Sequence, residues 1–209
     1  MITLPLDVTA STPSPAVDVG ALRARRLEGS MATLVPYAPE YGEALRTLRN
    51  LPENQFNLAQ GDAISPEQQH AWSGAYFSRT NDLCWVVLAA GDEFAGATRL
   101  YDIDGAAGVA EKGGLVLRGE LARGAPLALE IELMLLHVAF AWLGLHQVIT
   151  QVRPENTKMI SINSRLGFRP AGTTMLRGVP YRRFALRSGG FDPTPLLAIL
   201  RHWKNRHAL

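Results

Sequence analysis

The chain has 209 residues, of which 47% are apolar, and a net charge of +2, which is typical of one globular domain with short tails. A charge this small does not indicate a nucleic-acid-binding protein, which usually carries a concentrated basic stripe. The one cysteine, Cys84, excludes an internal disulfide and a cysteine-based zinc site. We therefore expect no nucleic acid, no metal and a buried Cys84.

No membrane or targeting segment is visible in the sequence. No apolar run approaches the roughly 18–20 residues that a membrane span needs. The N-terminus has no charged region followed by an apolar core, as a signal peptide would. We therefore expect a cytoplasmic protein with no membrane partner.

Composition divides the chain into three parts. Residues 1–30 are loose in composition and predict a weakly ordered leader with at most one helical turn. Residues 31–188 form the predicted domain. Residues 189–209 predict an amphipathic helical tail, which would dock on the domain or on a second subunit in a homodimer, or touch an anionic surface.

Hydrophobic spacing and turn residues predict a regular succession of elements. Ser65, Pro66 and Gln68 have the pattern of a capping box at a helix start. In chain order, we expect a strand at 32–38, a helix at 39–50, a loop at 51–63, a helix from 66, strands at 82–90 and 94–103, a loop at 104–113, a strand at 114–118, a helix at 126–145, a strand at 146–153, a helix at 155–167 and two strands within 168–187.

The order of these elements predicts the fold class. The strand-helix-strand unit at 114–153 requires a right-handed crossover and parallel pairing. The hairpins on either side of it are antiparallel. We therefore expect an α+β fold, with a mixed sheet of about seven strands and helices on both faces, and with the largely apolar helix 126–145 at its centre.

The segment before helix 126–145 has the features of an anion site. The first turn of a helix has unpaired N–H groups that favour a negative charge. Gly124 permits a close backbone approach, and Arg118 and Arg123 add positive charge. These residues predict a cradle for a pyrophosphate, although many helices begin after such a segment without binding anything.

Two segments carry a family resemblance. RGAPLALEIELMLLHVAFAWLGLHQV and VRPENTKMISINSRLGF resemble the cofactor loop, helix and "lGF" signature of the GCN5-related N-acetyltransferase (GNAT) superfamily. RNLPENQFNLAQGDAISPEQQHAW is similar to the acceptor-side region of its ribosomal-protein and nucleotide-amino-sugar acetyltransferases. The resemblance covers about residues 32–187 and implies the GNAT fold.

The resemblance implies transfer of an acetyl group from acetyl-CoA to an amine. In such a fold, strand 114–118 would splay from its neighbour and bind the pantetheine, and the following loop would hold the pyrophosphate. Asn156 would reach the pantetheine arm, and the helix after it would lie beside the departing sulfur. The cofactor-binding residues implied are Leu115, Val116, Leu117, Arg118, Arg123, Gly124, Ala125, Leu127, Ala128, Asn156, Lys158 and Ile160.

Two positions depart from the family pattern. Pro126 stands where a small residue usually gives an N–H to a phosphate, and proline has none. Asn163 stands seven residues after Asn156, where many members have a tyrosine that protonates the thiolate. An amide can donate a hydrogen bond to sulfur, but it is not a useful acid at neutral pH. We therefore expect Asn163 to touch the sulfur while water supplies the proton.

Several carboxylates are candidates for the base that accepts the amine proton. We favour Glu111, at the entrance to the splayed strand, over Glu120, Asp102 and Asp104. Glu130 and His137 are seven residues apart on one helix, so they share a face and form a second candidate. Among other candidates, Trp72, Tyr76 and Phe77 are predicted as core, and His70 as a residue that can reach the acceptor.

We therefore expect an acetyl-CoA-dependent N-acetyltransferase. Its acceptor would be a small primary amine, for which the amino group of a nucleotide-linked sugar is one candidate. The alternatives are a ribosomal-protein-like N-terminal acetyltransferase and a non-catalytic acyl-CoA-binding domain on the same fold. An unrelated small-molecule binder is the last alternative, and it predicts no affinity for CoA.

Overall fold

The structure is a computed structural model that describes residues 2–3, 18–58, 60–123 and 125–207. The strands are β1 Ile2–Thr3, β2 Leu27–Glu28, β3 Thr33–Pro36, β4 Leu83–Ala89, β5 Glu93–Asp104, β6 Val109–Leu117, β7 Gln147–Val152, β8 Arg169–Leu176 and β9 Val179–Arg187. The α-helices are α1 Val19–Leu22, α2 Gly42–Arg49, α3 Pro52–Asn57, α4 Pro66–Phe77, α5 Gly119–Ala122, α6 Leu127–His137, α7 Thr157–Arg165 and α8 Thr194–His207. Helix α6 continues into a π-helical turn at Val138–Trp142.

The described strands form one mixed sheet of nine strands in the order β1-β2-β3-β4-β5-β6-β7-β9-β8. Strands β6 and β7 run parallel, because α6 carries the chain back across the sheet between them. Their neighbours β5 and β9 are antiparallel to them. The α+β class with a mixed sheet is confirmed, and the two strands beyond the predicted seven are the short β1 and β2.

Helices cover both faces of the sheet. Along β4, Trp85 and Val87 belong to one buried cluster, whereas Cys84 and Val86 belong to another, as alternation along a strand requires. The larger cluster contains α6, of whose eleven residues nine are buried. The smaller cluster packs α2 and α4 on the other face. The prediction of a central, covered helix is confirmed.

The structure differs from the predicted weakly ordered leader over residues 18–30. Leu22 of α1 and Leu27 of β2 are fully buried in the larger cluster, so this segment completes the core. Residues 1 and 4–17 of the predicted leader lie outside the described residues. Helix α1 is the single helical turn that composition indicated.

The C-terminal tail also belongs to the packed domain. Leu196, Leu197 and Leu200 of α8 are buried in the larger cluster. Of the predicted alternatives for the tail, the structure shows packing against the chain's own core. Packing therefore extends beyond both ends of the predicted domain 31–188, and the homodimer stays a prediction.

Two predicted loops contain regular structure. The segment 51–63 contains α3. The segment 104–113 is a tight turn followed by the first half of β6, which begins at Val109 and not at 114. The segment 104–114 contains four glycines and the charged pair Glu111-Lys112, so it lacks the run of β-branched and aromatic residues that usually predicts a strand. Glu111 therefore lies within the sheet.

Among the described residues, no helix is long and apolar enough to cross a membrane. The same part of the chain contains no group of three or more histidine, cysteine or acidic side chains arranged to hold a metal ion.

Candidate active site

The parallel strands β6 and β7 part in the middle of the sheet. Their pairing runs from Val109↔Gln147 to Glu111↔Ile149 and then stops. Strand β6 stays paired with β5 as far as Leu117, and β7 stays paired with β9 as far as Val152. The edges of β6 and β7 that face each other beyond Glu111 are therefore left without ladder partners, and we call this opening the strand gap.

A bulge in β6 lies beside the strand gap. The pairing with β5 shifts between Ala97↔Val116 and Arg99↔Gly113. Gly114 in this bulge has φ of +64°, which glycine adopts at little cost. A bulge interrupts the regular ladder and bends its strand. The N–H and C=O groups of β6 beside the strand gap therefore do not follow the regular strand geometry.

Glu111 lies at the closed end of the strand gap, on the face covered by α2 and α4. Its Oε1 accepts a hydrogen bond of 2.5 Å from the Tyr101 hydroxyl, and its Oε2 accepts one of 2.8 Å from Gln151 Nε2. Burial and the neighbouring Glu111 charge raise the pKa of Tyr101, so its hydroxyl remains a donor. Donors from β5 and β7 thus hold the Glu111 carboxylate between them.

On the opposite face, a buried polar cluster lies beneath the same point. Lys112 Nζ is 2.5 Å from Glu132 Oε2 of α6 and 3.0 Å from Asn163 Oδ1 of α7. The ammonium also lies 5.0 Å from the ring centroid of Phe168. Lys112, Glu132 and Asn163 are each at most 2% exposed.

The orientation of the Asn163 amide follows from its partner. An ammonium can only donate hydrogen bonds, so the carbonyl oxygen of Asn163 must face Lys112. The Asn163 NH₂ group then faces away, and within the described residues its Nδ2 is buried without a hydrogen-bond partner. A buried donor without an acceptor is costly, so this group is suited to an acceptor that a ligand brings.

The other carboxylates considered as bases are engaged or distant. Asp104 accepts from Ala107 N at 2.8 Å and closes the turn before β6, while Asp102 is exposed. Glu120 pairs with Arg118 at 2.7 Å. Of the carboxylates considered, Glu111 is therefore the one at the strand gap.

The predicted Glu130–His137 pair does not form. Glu130 accepts from the backbone N–H groups of Ser30, Met31 and Ala32 at 2.7–2.9 Å and so fastens α6 to the turn between β2 and β3. The His137 ring instead packs edge-on against Trp142, with centroids 5.4 Å apart, and burial lowers the pKa of His137. Both residues are structural in this fold.

The predicted pyrophosphate loop has partial secondary structure. Arg118 pairs with Glu93 at 2.7 Å and with Glu120, so its charge is already compensated. Arg123 is exposed and ends α5, and Gly124 lies outside the described residues. The remaining predicted cofactor residues here are Ala125 and Ala128, which are half-buried, and Leu127, which is buried.

On β6, Leu115 and Leu117 are half-buried and Val116 is buried. What these three residues can offer a ligand at the strand gap is therefore their backbone N–H and C=O groups. Asn156 caps α7, and its Oδ1 accepts from Met159 N at 3.1 Å. Its side chain therefore has a structural partner at the position predicted for the pantetheine arm. Lys158 is exposed and Ile160 is half-buried.

The aromatic residues of α4 divide between core and surface. Tyr76 is 2% exposed and accepts a hydrogen bond from Cys84 N, whereas Phe77 is 50% exposed. The prediction that Phe77 belongs to the core is wrong, because it lies at the exposed end of α4. His70 and Phe77 line a small cavity of about 300 Å³ between α2 and α4. Cys84 is buried, as expected, and burial raises its pKa to about 12.

Sequence reasoning missed Tyr101, Gln151, Lys112 and Glu132. Tyr101 and Gln151 meet Glu111 only through the registers of β5 and β7 with β6. Lys112 and Glu132 are charged residues inside otherwise apolar surroundings. Glu132, in the middle of the apolar helix 126–145, was the one signal in the sequence that could have indicated a buried ionic partner.

Comparisons with known proteins agree with this geometry. The family described as "Acetyltransferase (GNAT) domain" matches residues 32–169. None of the curated proteins matches the chain. A probable GNAT-family acetyltransferase from Chromobacterium violaceum superposes with a TM-score of 0.69 at 21% identity, covering 91% of this chain and 96% of that one.

Two further solved structures share the fold. Spermidine N-acetyltransferase from Vibrio cholerae, in complex with CoA and spermine, has a TM-score of 0.69 at 18% identity, covering 78% of this chain and 98% of that one. RimJ from Mycobacterium smegmatis, in complex with CoA-disulfide, has a TM-score of 0.64 at 20% identity, covering 76% of this chain and 82% of that one. The family match spans about two thirds of the sequence, and the chain belongs to the GNAT family of N-acetyltransferases.

Proposed function

We propose that the protein transfers an acetyl group from acetyl-CoA to a small primary amine at the strand gap. The observation that carries this proposal is the parting of two parallel strands with a carboxylate, Glu111, on one face and a buried amide, Asn163, on the other. The two residues lie at the same end of the strand gap. An amine can therefore approach from one face while the thiol leaves towards the other.

The strand gap fits the pantetheine arm of the donor. The unpaired backbone edge of β6 at Leu115–Leu117 offers N–H and C=O groups in the spacing of a strand ladder, and the pantetheine amides need such partners. The loop before α6, with Arg123 and Ala125, would hold the pyrophosphate at a helix N-terminus. Pro126 removes one N–H from this loop, so we expect moderate affinity for the cofactor.

Acetyl-CoA supplies an activated thioester, and the reaction joins the amine nitrogen to the acetyl carbon as the carbon–sulfur bond breaks. The Glu111 carboxylate would accept the proton that the amine loses, directly or through one water. Tyr101 and Gln151 would hold the carboxylate in place. A backbone N–H at the bulge of β6 would polarise the thioester carbonyl.

Asn163 would donate a hydrogen bond to the departing sulfur through the NH₂ group that Lys112 directs away from itself. Because an amide cannot give up its proton at neutral pH, water would protonate the thiolate. A non-catalytic acyl-CoA-binding domain is the second candidate, and Pro126 is the feature that favours it. That candidate predicts CoA binding without turnover.

The test is CoA release from acetyl-CoA in the presence of a panel of primary amines. We expect turnover of at least one amine, and Glu111→Gln should lower kcat by about 10²–10⁴. Asp104→Asn is the matched control, because it removes a carboxylate that only closes a turn. Undiminished kcat in Glu111→Gln would refute the assignment of the base, and no turnover with any amine would favour the second candidate.

A further inference from the structure

A cavity of about 840 Å³ opens on the same face of the sheet as Glu111. It lies between the N-terminal half of α4, the segment after α3 and the turn that joins β8 to β9. Four arginines are among its lining residues: Arg49, Arg79, Arg99 and Arg177. A lining this basic favours an anionic ligand.

The positive charge of this cavity is only partly compensated. Arg79 and Arg99 share one carboxylate, that of the buried Asp82, at 3.0 and 2.5 Å. Among the described lining residues Asp62 is the one carboxylate. Four guanidinium groups therefore face two carboxylates, and two positive charges remain without a counter-charge.

Arg49 and Arg177 are the two arginines of this cavity that do not pair with Asp82. Neither forms an ion pair within the described residues, and Arg49 Nε is shielded from solvent without a hydrogen-bond partner. Burial, together with the neighbouring charges of Arg99 and Arg177, lowers the pKa of Arg49. A shielded guanidinium among like charges is unfavourable until an anion joins it. Its planar fork matches the oxygens of a phosphate or a carboxylate.

The cavity is linked to Glu111 through two side chains. The Arg99 guanidinium lies 5.6 Å from the ring centroid of Trp72 and 4.9 Å from that of Tyr101. The Tyr101 hydroxyl in turn donates to Glu111. Arg99 and Tyr101 are two positions apart on β5, so their Cα atoms are about 7 Å apart. An acceptor whose amine lies at Glu111 can thus extend along this face of the sheet towards the cavity.

We propose that Arg49 and Arg177 bind an anionic group, a phosphate or a carboxylate, of the amine acceptor. This inference rests on the proposed function, because it places the acceptor beside Glu111. It selects amines that carry a negative charge over neutral amines. It disfavours polyamines, which the net positive charge of this cavity would repel.

The test compares kcat/KM for paired amines that differ in one anionic group. Glucosamine and its phosphate ester form the phosphate arm, propylamine and β-alanine form the carboxylate arm, and spermidine is the cationic reference. We expect the anionic member to be preferred at least tenfold in one arm, and that arm identifies the anion. Equal values within both pairs, or a preference for spermidine, would overturn the inference while leaving acetyl transfer intact.

Two variants test whether Arg49 and Arg177 cause the preference for anionic amines. Arg49→Gln removes the charge but keeps a side chain that can form hydrogen bonds. Arg177 has a φ of 49°, which asparagine tolerates well, so we expect the Arg177→Asn variant to fold. Each should lower the ratio of anionic to neutral kcat/KM at least fivefold. Arg206→Gln, which removes the same charge from an exposed position on α8, is the control and should leave the ratio unchanged. An unchanged ratio in Arg177→Asn and in folded Arg49→Gln would overturn the assignment.

A binding measurement separates this inference from the proposed function. Calorimetry without acetyl-CoA should show that the preferred anionic amine binds the wild type, and that Arg177→Asn weakens binding at least fivefold. If such binding occurs but no amine is acetylated, the anion site stands and the proposed function fails. If amines are acetylated but no anion binds, the proposed function stands and this inference fails.

Discussion

Breaking the buried ion pair of Lys112 and Glu132 should lower the free energy of unfolding. Each side chain is at most 3% exposed, and their charged atoms are 2.5 Å apart. Glu132→Leu leaves the Lys112 ammonium with Asn163 Oδ1 as its remaining polar partner, and removing one member of a buried pair typically costs about 3–5 kcal/mol.

The assay is thermal and denaturant unfolding of Glu132→Leu, Lys112→Met and the double variant. For a chain of this size each kcal/mol shifts Tm by about 2–4 °C, so each single variant should lose roughly 6–20 °C. The double variant should recover most of this loss, because two apolar side chains of similar volume can replace a buried ion pair at little cost. If the two single losses simply add, the residues are not coupled and the reasoning is refuted.

Three further predictions concern single residues. Cys84 should not react with a thiol reagent in the native protein, because its burial raises its pKa to about 12, and it should react once the protein unfolds; a native reaction would contradict its burial. His137 has a lowered pKa, so the unfolded chain binds more protons and stability should fall as pH drops through about 6.5; His137→Gln should flatten that dependence in unfolding curves. Ser65→Ala should cost about 1 kcal/mol of unfolding free energy through the lost cap of α4, whereas an unchanged value would show that the capping box is dispensable.

Local signals predicted much of the fold. Ser65 and Gln68 form the capping box that their spacing indicated. Helix α7 follows β7 in the predicted order, and Asn156 caps that helix. These features depend on neighbours within a few residues, so the sequence shows them directly.

The details of the candidate site depend on contacts that the sequence does not show. Glu111 could be chosen only as a carboxylate near the entrance of a strand, because its bonds to Tyr101 and Gln151 need the registers of three strands. Glu130 was paired with His137 by helical spacing. Its actual partners are backbone groups about a hundred positions earlier in the chain, which periodicity cannot reveal.

Titration calorimetry of acetyl-CoA into the wild type and into Ala125→Glu tests the central claim most directly. The account predicts one site in the wild type and binding at least tenfold weaker in Ala125→Glu, because the added charge meets the pyrophosphate at the N-terminus of α6. Ala106→Glu, on the exposed turn before β6, is the matched control and should bind as the wild type does. No detectable binding to the wild type, or equal binding to Ala125→Glu, would contradict the placement of the donor at the strand gap.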